Sequence, residues 1–188
     1  MKEVNVLIVT DAQIDFESGS LKSKEAQATV PHIVDKIEKC GQEGYIILNT
    51  KDTHEDDYMD THEGKCLPIP HTIRGTEGWE VVQAIKSALK KYGAIDVLKD
   101  KFGSTDLASV VRVLAQQKIG RIITDGKEMN IVIVGWCTDI CVITNALLLR
   151  TAFPEAEIVV DPKCCAGATP ESHEAAITVM RSCQIIVI

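Results

Sequence analysis

Residues 4–16 read V-N-V-L-I-V-T-D-A-Q-I-D-F. Val4–Thr10 is almost unbroken in its aliphatic and β-branched character, without the alternation of a strand that has one wet face. A run of this kind belongs in a parallel sheet covered on both sides. It stops at Asp11, so a carboxylate follows the strand's carboxyl end, where open parallel sheets gather their ligands. Five further runs repeat the pattern: 45–50, 95–99, 130–135, 157–161 and 184–188. Helix-period segments lie between them, at roughly 24–41, 77–91, 105–118, 141–152 and 170–182. In the last of these Thr169 suits the N-cap and Pro170 the first helical position. Alternating strands and helices predict an α/β fold: a doubly wound, mostly parallel six-stranded sheet with helices on both faces, in three layers. Two segments stand outside the alternation, the polar loop 51–76 and an extra ribbon or turn at 119–129 around Asp125-Gly126.

The totals agree with one domain spanning residues 1–188. The chain is 45% hydrophobic and 25% charged, as a globular protein is and a disordered one is not. A net charge of −7 leaves no basic face for nucleic acid. No apolar run reaches the roughly 18 residues of a membrane span, and the opening apolar stretch is too short for a secretory signal. The expected address is therefore the cytoplasm. Seven cysteines at irregular spacing fit a reducing compartment, most of them as small buried hydrophobes.

Chemistry collects at the ends of the strands. Asp11 follows the first, K-D-T-H (51–54) the second, Lys99 ends the third, and W-C-T-D-I-C-V (136–142) follows the fourth. A carboxylate, a carboxylate–histidine pair, an ammonium and a thiol thus reach one rim. Cys141 stands at an expected helix start, where free N–H groups and a cation such as Lys99 favour a thiolate. That thiolate could attack an amide carbonyl, with the backbone N–H groups of Cys137 and Cys141 holding the oxyanion and Asp11 carrying the proton. Taken singly, Cys141 reads as a core cysteine, Asp11 as a cap and Lys99 as a solvated strand end; the combination reverses those readings. Asp52 and His54 alternate by two, so their side chains point the same way, and they suit zinc, manganese or iron. His62, Glu63 and His71 in the same loop could complete such a site. Neither Cys137 with Cys141 nor Cys164 with Cys165 has the paired spacing of a structural zinc site.

These motifs resemble the isochorismatase-like cysteine hydrolases and, within them, the nicotinamidases. D-A-Q-I-D-F-E-S-G-S-L (11–21) is similar to the family's opening motif, Lys99 with F-G-S to its lysine motif, G-W-C-T-D-I-C-V to its nucleophile motif, and T-P-E-S-H-E-A-A-I to its last helix. The resemblance implies a triad of Asp11, Lys99 and Cys141, with Lys99 preferred to Lys101 by its spacing to the next aromatic. Cys137 falls where the family supplies an oxyanion N–H, commonly beside a cis peptide. The loop containing D-T-H and P-H-T-I-R-G-T-E-G resembles the nicotinamidase metal loop. It implies Asp52, His54 and His71 as ligands of a divalent ion, zinc first, with Glu63 preferred to His62 for the fourth place. Phe16 would pack on the substrate ring. Many nicotinamidases have a tryptophan shortly before the metal histidine, where this chain has L-P-I-P, so Leu67 or Ile69 would form the other wall. The resemblance implies deamidation of nicotinamide or a close heteroaromatic amide to the acid and ammonia, by a cytoplasmic homo-oligomer serving NAD salvage. Hydrolysis of a different small amide or an enol ether, and a non-catalytic thiol sensor on the same fold, are the alternatives.

Overall fold

The structure is a computed structural model describing residues 3–188. Its six strands are β1 (Val4–Thr10), β2 (Ile46–Asp52), β3 (Ile95–Lys99), β4 (Met129–Trp136), β5 (Glu157–Ala166) and β6 (Ile186–Val187). All pairings are parallel, and the order across the sheet is β3-β2-β1-β4-β5-β6. The chain therefore winds outward from β1 to one edge, returns to the centre at β4 and winds to the other edge. The switch point lies between β1 and β4, whose carboxyl ends pair at Thr10 and Gly135. A crevice opens where neighbouring strands part in this way.

The unbroken apolar character of β1 has a direct cause. Val4, Val6 and Ile8 join one buried cluster with Leu107, Val111, Leu149 and Met180, while Leu7 and Val9 join another with Ile33, Ile37 and Ile85. Successive side chains leave a strand on opposite faces, and here both faces are covered. One layer holds α2 (Lys24–Gln42) and α4 (Gln83–Lys91); the other holds α5 (Leu107–Ile119), α6 (Ile143–Ala152) and α7 (Pro170–Ser182). Two shorter helices, α1 (Ile14–Glu17) and α3 (His62–Cys66), lie over the strand ends. Ile33, Ile37 and Cys40 recur on the inner face of α2 at helical spacing. Its first turn is capped by Ser23, which accepts the Ala26 N–H at 3.2 Å. Thr169 caps α7 with Pro170 at its first position, as the sequence predicts, and Ser172 completes a reciprocal capping box with Thr169.

Two local expectations change and one is narrowed. The helix expected over 77–91 begins only at Gln83, because Gly78 is drawn against α1: a Cβ there would lie 2.1 Å from Oδ2 of Asp15. The loop it leaves sets the Trp79 ring under Lys51, 3.2 Å from the ammonium. Of the ribbon or turn expected at 119–129 the structure has the turn: the Met129 N–H closes on the Gly126 carbonyl at 2.8 Å. Gly120, at φ 70°, ends α5, and the Arg112 guanidinium gathers the carbonyls of Ile123, Thr124 and Ala152. The segment expected as helix from 141 starts earlier, as a wide π turn over Thr138–Val142 that runs into α6. Among the described residues no helix is long and apolar enough to cross a membrane.

Candidate active site and metal centre

β1 is followed by Asp11 in the left-handed region at φ 47°, a turn that leaves its carboxylate beside the end of β2. The Asp11 N–H donates to the Thr50 carbonyl at 3.1 Å, and the Thr50 hydroxyl donates to Asp11 Oδ1 at 2.7 Å. From the end of β3, Lys99 extends its Nζ to 2.7 Å from Asp11 Oδ2, 3.0 Å from Asp52 Oδ1 and 3.6 Å from Cys141 Sγ. All four residues are buried. Lys101 turns outward and pairs with Asp100 at 2.7 Å in solvent.

Burial favours a neutral Asp11, Lys99 opposes this and Asp52 adds to it, so the Asp11 carboxyl lies above its usual range. Burial alone would lower the Lys99 pKa, but Asp11, Cys141 and Asp52 hold the ammonium firmly protonated. Burial and then Asp11 push the Cys141 thiol well above the usual value, and Lys99 recovers only part of this. The thiolate expected from a helix start and a nearby cation is thus opposed, chiefly by burial, and the Lys99 ammonium is shared with two carboxylates.

The turn carrying Cys141 is pinned on several sides. The Trp136–Cys137 peptide is cis, and the Cys137 carbonyl accepts from Ile140 at 3.1 Å and Val142 at 3.0 Å. Gly135 has φ 115°, and a Cβ there would meet the Thr10 carbonyl oxygen at 2.1 Å, so only glycine lets β4 pass β1 this closely. Behind the turn, the Thr138 hydroxyl lies 2.8 Å from His173 Nδ1, and Asp139 accepts the Ala168 N–H at 2.9 Å. Burial, then Asp139, pushes the Cys137 thiol up to about 12, which makes its side chain inert beside its backbone N–H.

The second cluster shares Asp52 with the first. Asp52 Oδ2 lies 3.1 Å from His54 Nε2 and 3.6 Å from His71 Nε2. Glu63 Oε1 lies 3.8 and 3.7 Å from the same two nitrogens. Asp52, His54 and His71 offer ligand atoms all within 4.8 Å of one another. His54 Nε2 is buried and, although Asp52 Oδ2 lies 3.1 Å away, is not aligned with it or any other acceptor in a hydrogen bond, which leaves this nitrogen available to a shared ion. Two imidazoles and two carboxylates converging in this way fit zinc, manganese or iron. His62 sits outside the cluster, 3.7 Å from Cys66 Sγ. Burial resists a charged Asp52, but His54 and Lys99 outweigh it and hold the carboxyl below its usual range.

Several residues that support these clusters were not singled out by sequence. Gln13 grips the Asp52 backbone with both ends of its amide, donating to the carbonyl and accepting the N–H at 2.8 Å each. Thr72, at φ 47°, donates its hydroxyl to Asp52 Oδ2 at 2.8 Å and its N–H to Asp15 Oδ2 at 2.7 Å. Gln13 and Asp15 lie inside the quoted D-A-Q-I-D-F stretch, which was the available signal. Tyr58 carried none.

A cleft of about 1360 Å³ opens over both clusters, with Phe16, Tyr58, Leu67, Trp136, Ile140 and Cys141 among its lining residues. Phe16 and Leu67 reach it as expected. Ile69 does not: it is 39% exposed and absent from the lining. A tight turn at Pro68, closed by the Ile69 N–H on the Leu67 carbonyl at 2.7 Å, removes the two side chains from a common face. The contribution of Ile69 is its carbonyl, which pairs with His71 Nδ1 at 2.9 Å.

Comparison with known proteins matches residues 5–188 to a family model described as the isochorismatase domain. No match is found among curated proteins. Among solved structures, the chain is similar to the nicotinamidase of Bacillus subtilis, with 27% identity and a TM-score of 0.79 over 100% of this chain and 99% of that one. It is also similar to the pyrazinamidase/nicotinamidase of Streptococcus mutans (26%, 0.79, over 98% and 99%). A pyrazinamidase of Pyrococcus horikoshii in complex with zinc has 25% identity and a TM-score of 0.77 over 98% of each chain.

Proposed function

The chain belongs to the isochorismatase family of hydrolases, and from that premise we propose that it hydrolyses a small heteroaromatic amide, nicotinamide foremost, through a thioester on Cys141. The observation that carries this reading is the Lys99 ammonium, within 3.6 Å of Cys141 Sγ and ion-paired with both Asp11 and Asp52. One residue thereby joins a nucleophile, a proton carrier and a metal-ligand carboxylate at the floor of a cleft.

The chemistry follows from the electrostatics. As Cys141 attacks the amide carbonyl, its proton passes to Asp11, whose raised pKa makes it a competent acceptor. The backbone N–H groups of Cys137 and Cys141 hold the developing oxyanion. Asp11 then returns the proton to the departing nitrogen, and ammonia leaves the acyl group on sulfur. Water attacks the thioester and gives one proton to Asp11; as the C–S bond breaks, Asp11 returns that proton to the departing sulfur, and the acid leaves with the thiol restored. Lys99 keeps its charge throughout and compensates each negative charge that forms beside it. Asp52, His54, Glu63 and His71 would hold a divalent ion, zinc foremost, supplying a Lewis-acidic anchor for a ring nitrogen. The ring would lie between Phe16 and Leu67.

The relatives named for nicotinamide and pyrazinamide support a ring amide, and the aliphatic Leu67 wall favours a wider range of such amides. The test is ammonia release from nicotinamide, pyrazinamide and a panel of small amides, before and after chelation and with zinc restored. We expect turnover that chelation removes and zinc returns. Ammonia from none of the panel would sink the amidase reading; full turnover in protein shown to be metal-free would sink the metal centre.

A further inference from the structure

The two imidazoles of the metal centre are held in different ways. His71 is anchored through Nδ1, paired with the Ile69 carbonyl at 2.9 Å, which leaves Nε2 free toward Asp52 and Glu63. Metal-binding histidines nearly always have such an anchor, because it fixes both tautomer and ring direction. Among the described residues His54 shows no hydrogen bond at Nδ1. What sets its ring is Tyr58, whose centroid lies 4.7 Å from that of His54 at an interplanar angle of 59°. The same phenol ring meets His71 at 5.1 Å and 77°, while the two imidazoles are 5.0 Å apart. Tyr58 is thus a wedge touching both imidazoles, and it is 1% exposed.

Its other end does something separate. The Tyr58 hydroxyl donates to the Leu67 carbonyl at 2.8 Å, tying down the residue that forms the aliphatic wall of the cleft. The backbone of Tyr58 also seats α3, the helix that carries Glu63. Thr61, the N-cap of α3, donates its hydroxyl to the Tyr58 carbonyl at 2.7 Å, and a Cβ on Gly64 would lie 2.1 Å from that oxygen.

We propose that Tyr58 is a positioning residue with two separable roles: its ring fixes the direction of His54 and the spacing of the two imidazoles, and its hydroxyl fixes the Leu67 wall. The inference rests on the reading of Asp52, His54, Glu63 and His71 as a metal centre. Because ring and hydroxyl act on different neighbours, removing them one at a time separates metal binding from substrate binding. A tyrosine that merely fills space would move neither selectively.

The experiment measures zinc affinity by chelator competition on metal-stripped protein, together with kcat and KM, for wild type, Tyr58→Phe and Tyr58→Leu. Tyr58→Leu should bind zinc about 10- to 100-fold more weakly, the usual cost of losing a residue that orients a metal ligand. Tyr58→Phe should keep zinc affinity within about threefold but raise KM about three- to tenfold with kcat little changed, as expected for one lost hydrogen bond. Wild-type zinc binding with an unmoved Tyr58→Leu overturns the ring's role, and an unmoved KM in Tyr58→Phe overturns the hydroxyl's. Tyr58→Phe preserves the packing, so it decides the question even if Tyr58→Leu does not fold: zinc lost along with the hydroxyl would refute the separation. A wild-type protein that takes up no zinc overturns the metal-centre reading and this proposal with it.

Discussion

The Lys99 ammonium lies 3.0 Å from Oδ1 of Asp52, while Oδ2 of the same carboxylate faces His54 Nε2 at 3.1 Å. One carboxylate therefore belongs to two clusters, and its charge is felt in both. Asp11 and Asp52 are two carboxylates against the one Lys99 ammonium beside a buried thiol. A divalent ion bound to Asp52 would draw that charge away and release Lys99 toward Asp11 and Cys141.

Replacing Asp52 should then damage both functions together. Asp52→Asn keeps the shape and an oxygen able to accept from Thr72, but removes the charge. Bound zinc and turnover are expected to fall in parallel, the latter by at least about 100-fold. Metal analysis beside an ammonia assay checks this. Full zinc occupancy in the variant would separate the two clusters and contradict the shared carboxylate.

In the proposed reaction Cys141 and Asp11 carry the covalent chemistry, and among the described residues no hydrogen bond or ion pair joins either to the imidazoles. Cys141→Ala should abolish ammonia release while leaving the far-ultraviolet spectrum and the zinc content unchanged. Asp11→Asn retains an oxygen for the Thr50 hydroxyl at that position, so it should fold, yet lose about 10²- to 10⁴-fold in rate, the range for a displaced general acid–base. Wild-type turnover from either protein would remove the thioester route.

Leu67 and Ile69 offer a sharper contrast. Leu67 lines the cleft, whereas Ile69 is 39% exposed and contributes only its backbone carbonyl. Leu67→Ala should raise KM for ring amides severalfold, while Ile69→Ser should leave KM and kcat where they are. Equal effects from the two substitutions would mean that the turn at Pro68 opens in solution and returns both side chains to one wall.

The parts of this molecule legible in sequence are those set by local periodicity. β1 could be read because alternate residues enter two different cores, which forces an unbroken apolar run. Asp11, Lys99 and Cys141 could be read because strand ends converge by topology alone. Of the two wall residues that the resemblance offers, Leu67 lines the cleft and Ile69 does not, because the chain reverses at Pro68, a local turn that a family motif does not specify. Residues 77–82 were misread as helix because their conformation is dictated by a distant partner, the Asp15 carboxylate against Gly78. Gln13 and Tyr58 act through residues about 40 and 13 positions away, on backbone groups and ring faces that leave no periodic trace.

The cysteines outside the site bear on stability at high pH. Burial pushes the Cys40 thiol up to about 11 and the Cys164 thiol up to about 12, against roughly 8.5 in an unfolded chain. Above pH 8.5 the unfolded state releases these protons while the folded state keeps them, so unfolding becomes progressively easier. The contribution is intact below pH 8.5 and is lost as pH climbs toward 11 and 12. The nearby Lys36–Asp161 pair, at 2.7 Å, works in the same direction: burial alone would lower the Lys36 pKa, but Asp161 raises it, so this contribution too fades as the lysine loses its proton. Urea midpoints should be level from pH 6 to 8 and decline steadily from 8.5 to 11. Cys40→Ala should start lower at pH 7, from the cavity it leaves, but decline less steeply across the alkaline range. An alkaline slope equal to that of wild type would show that Cys40 ionisation has no part in it.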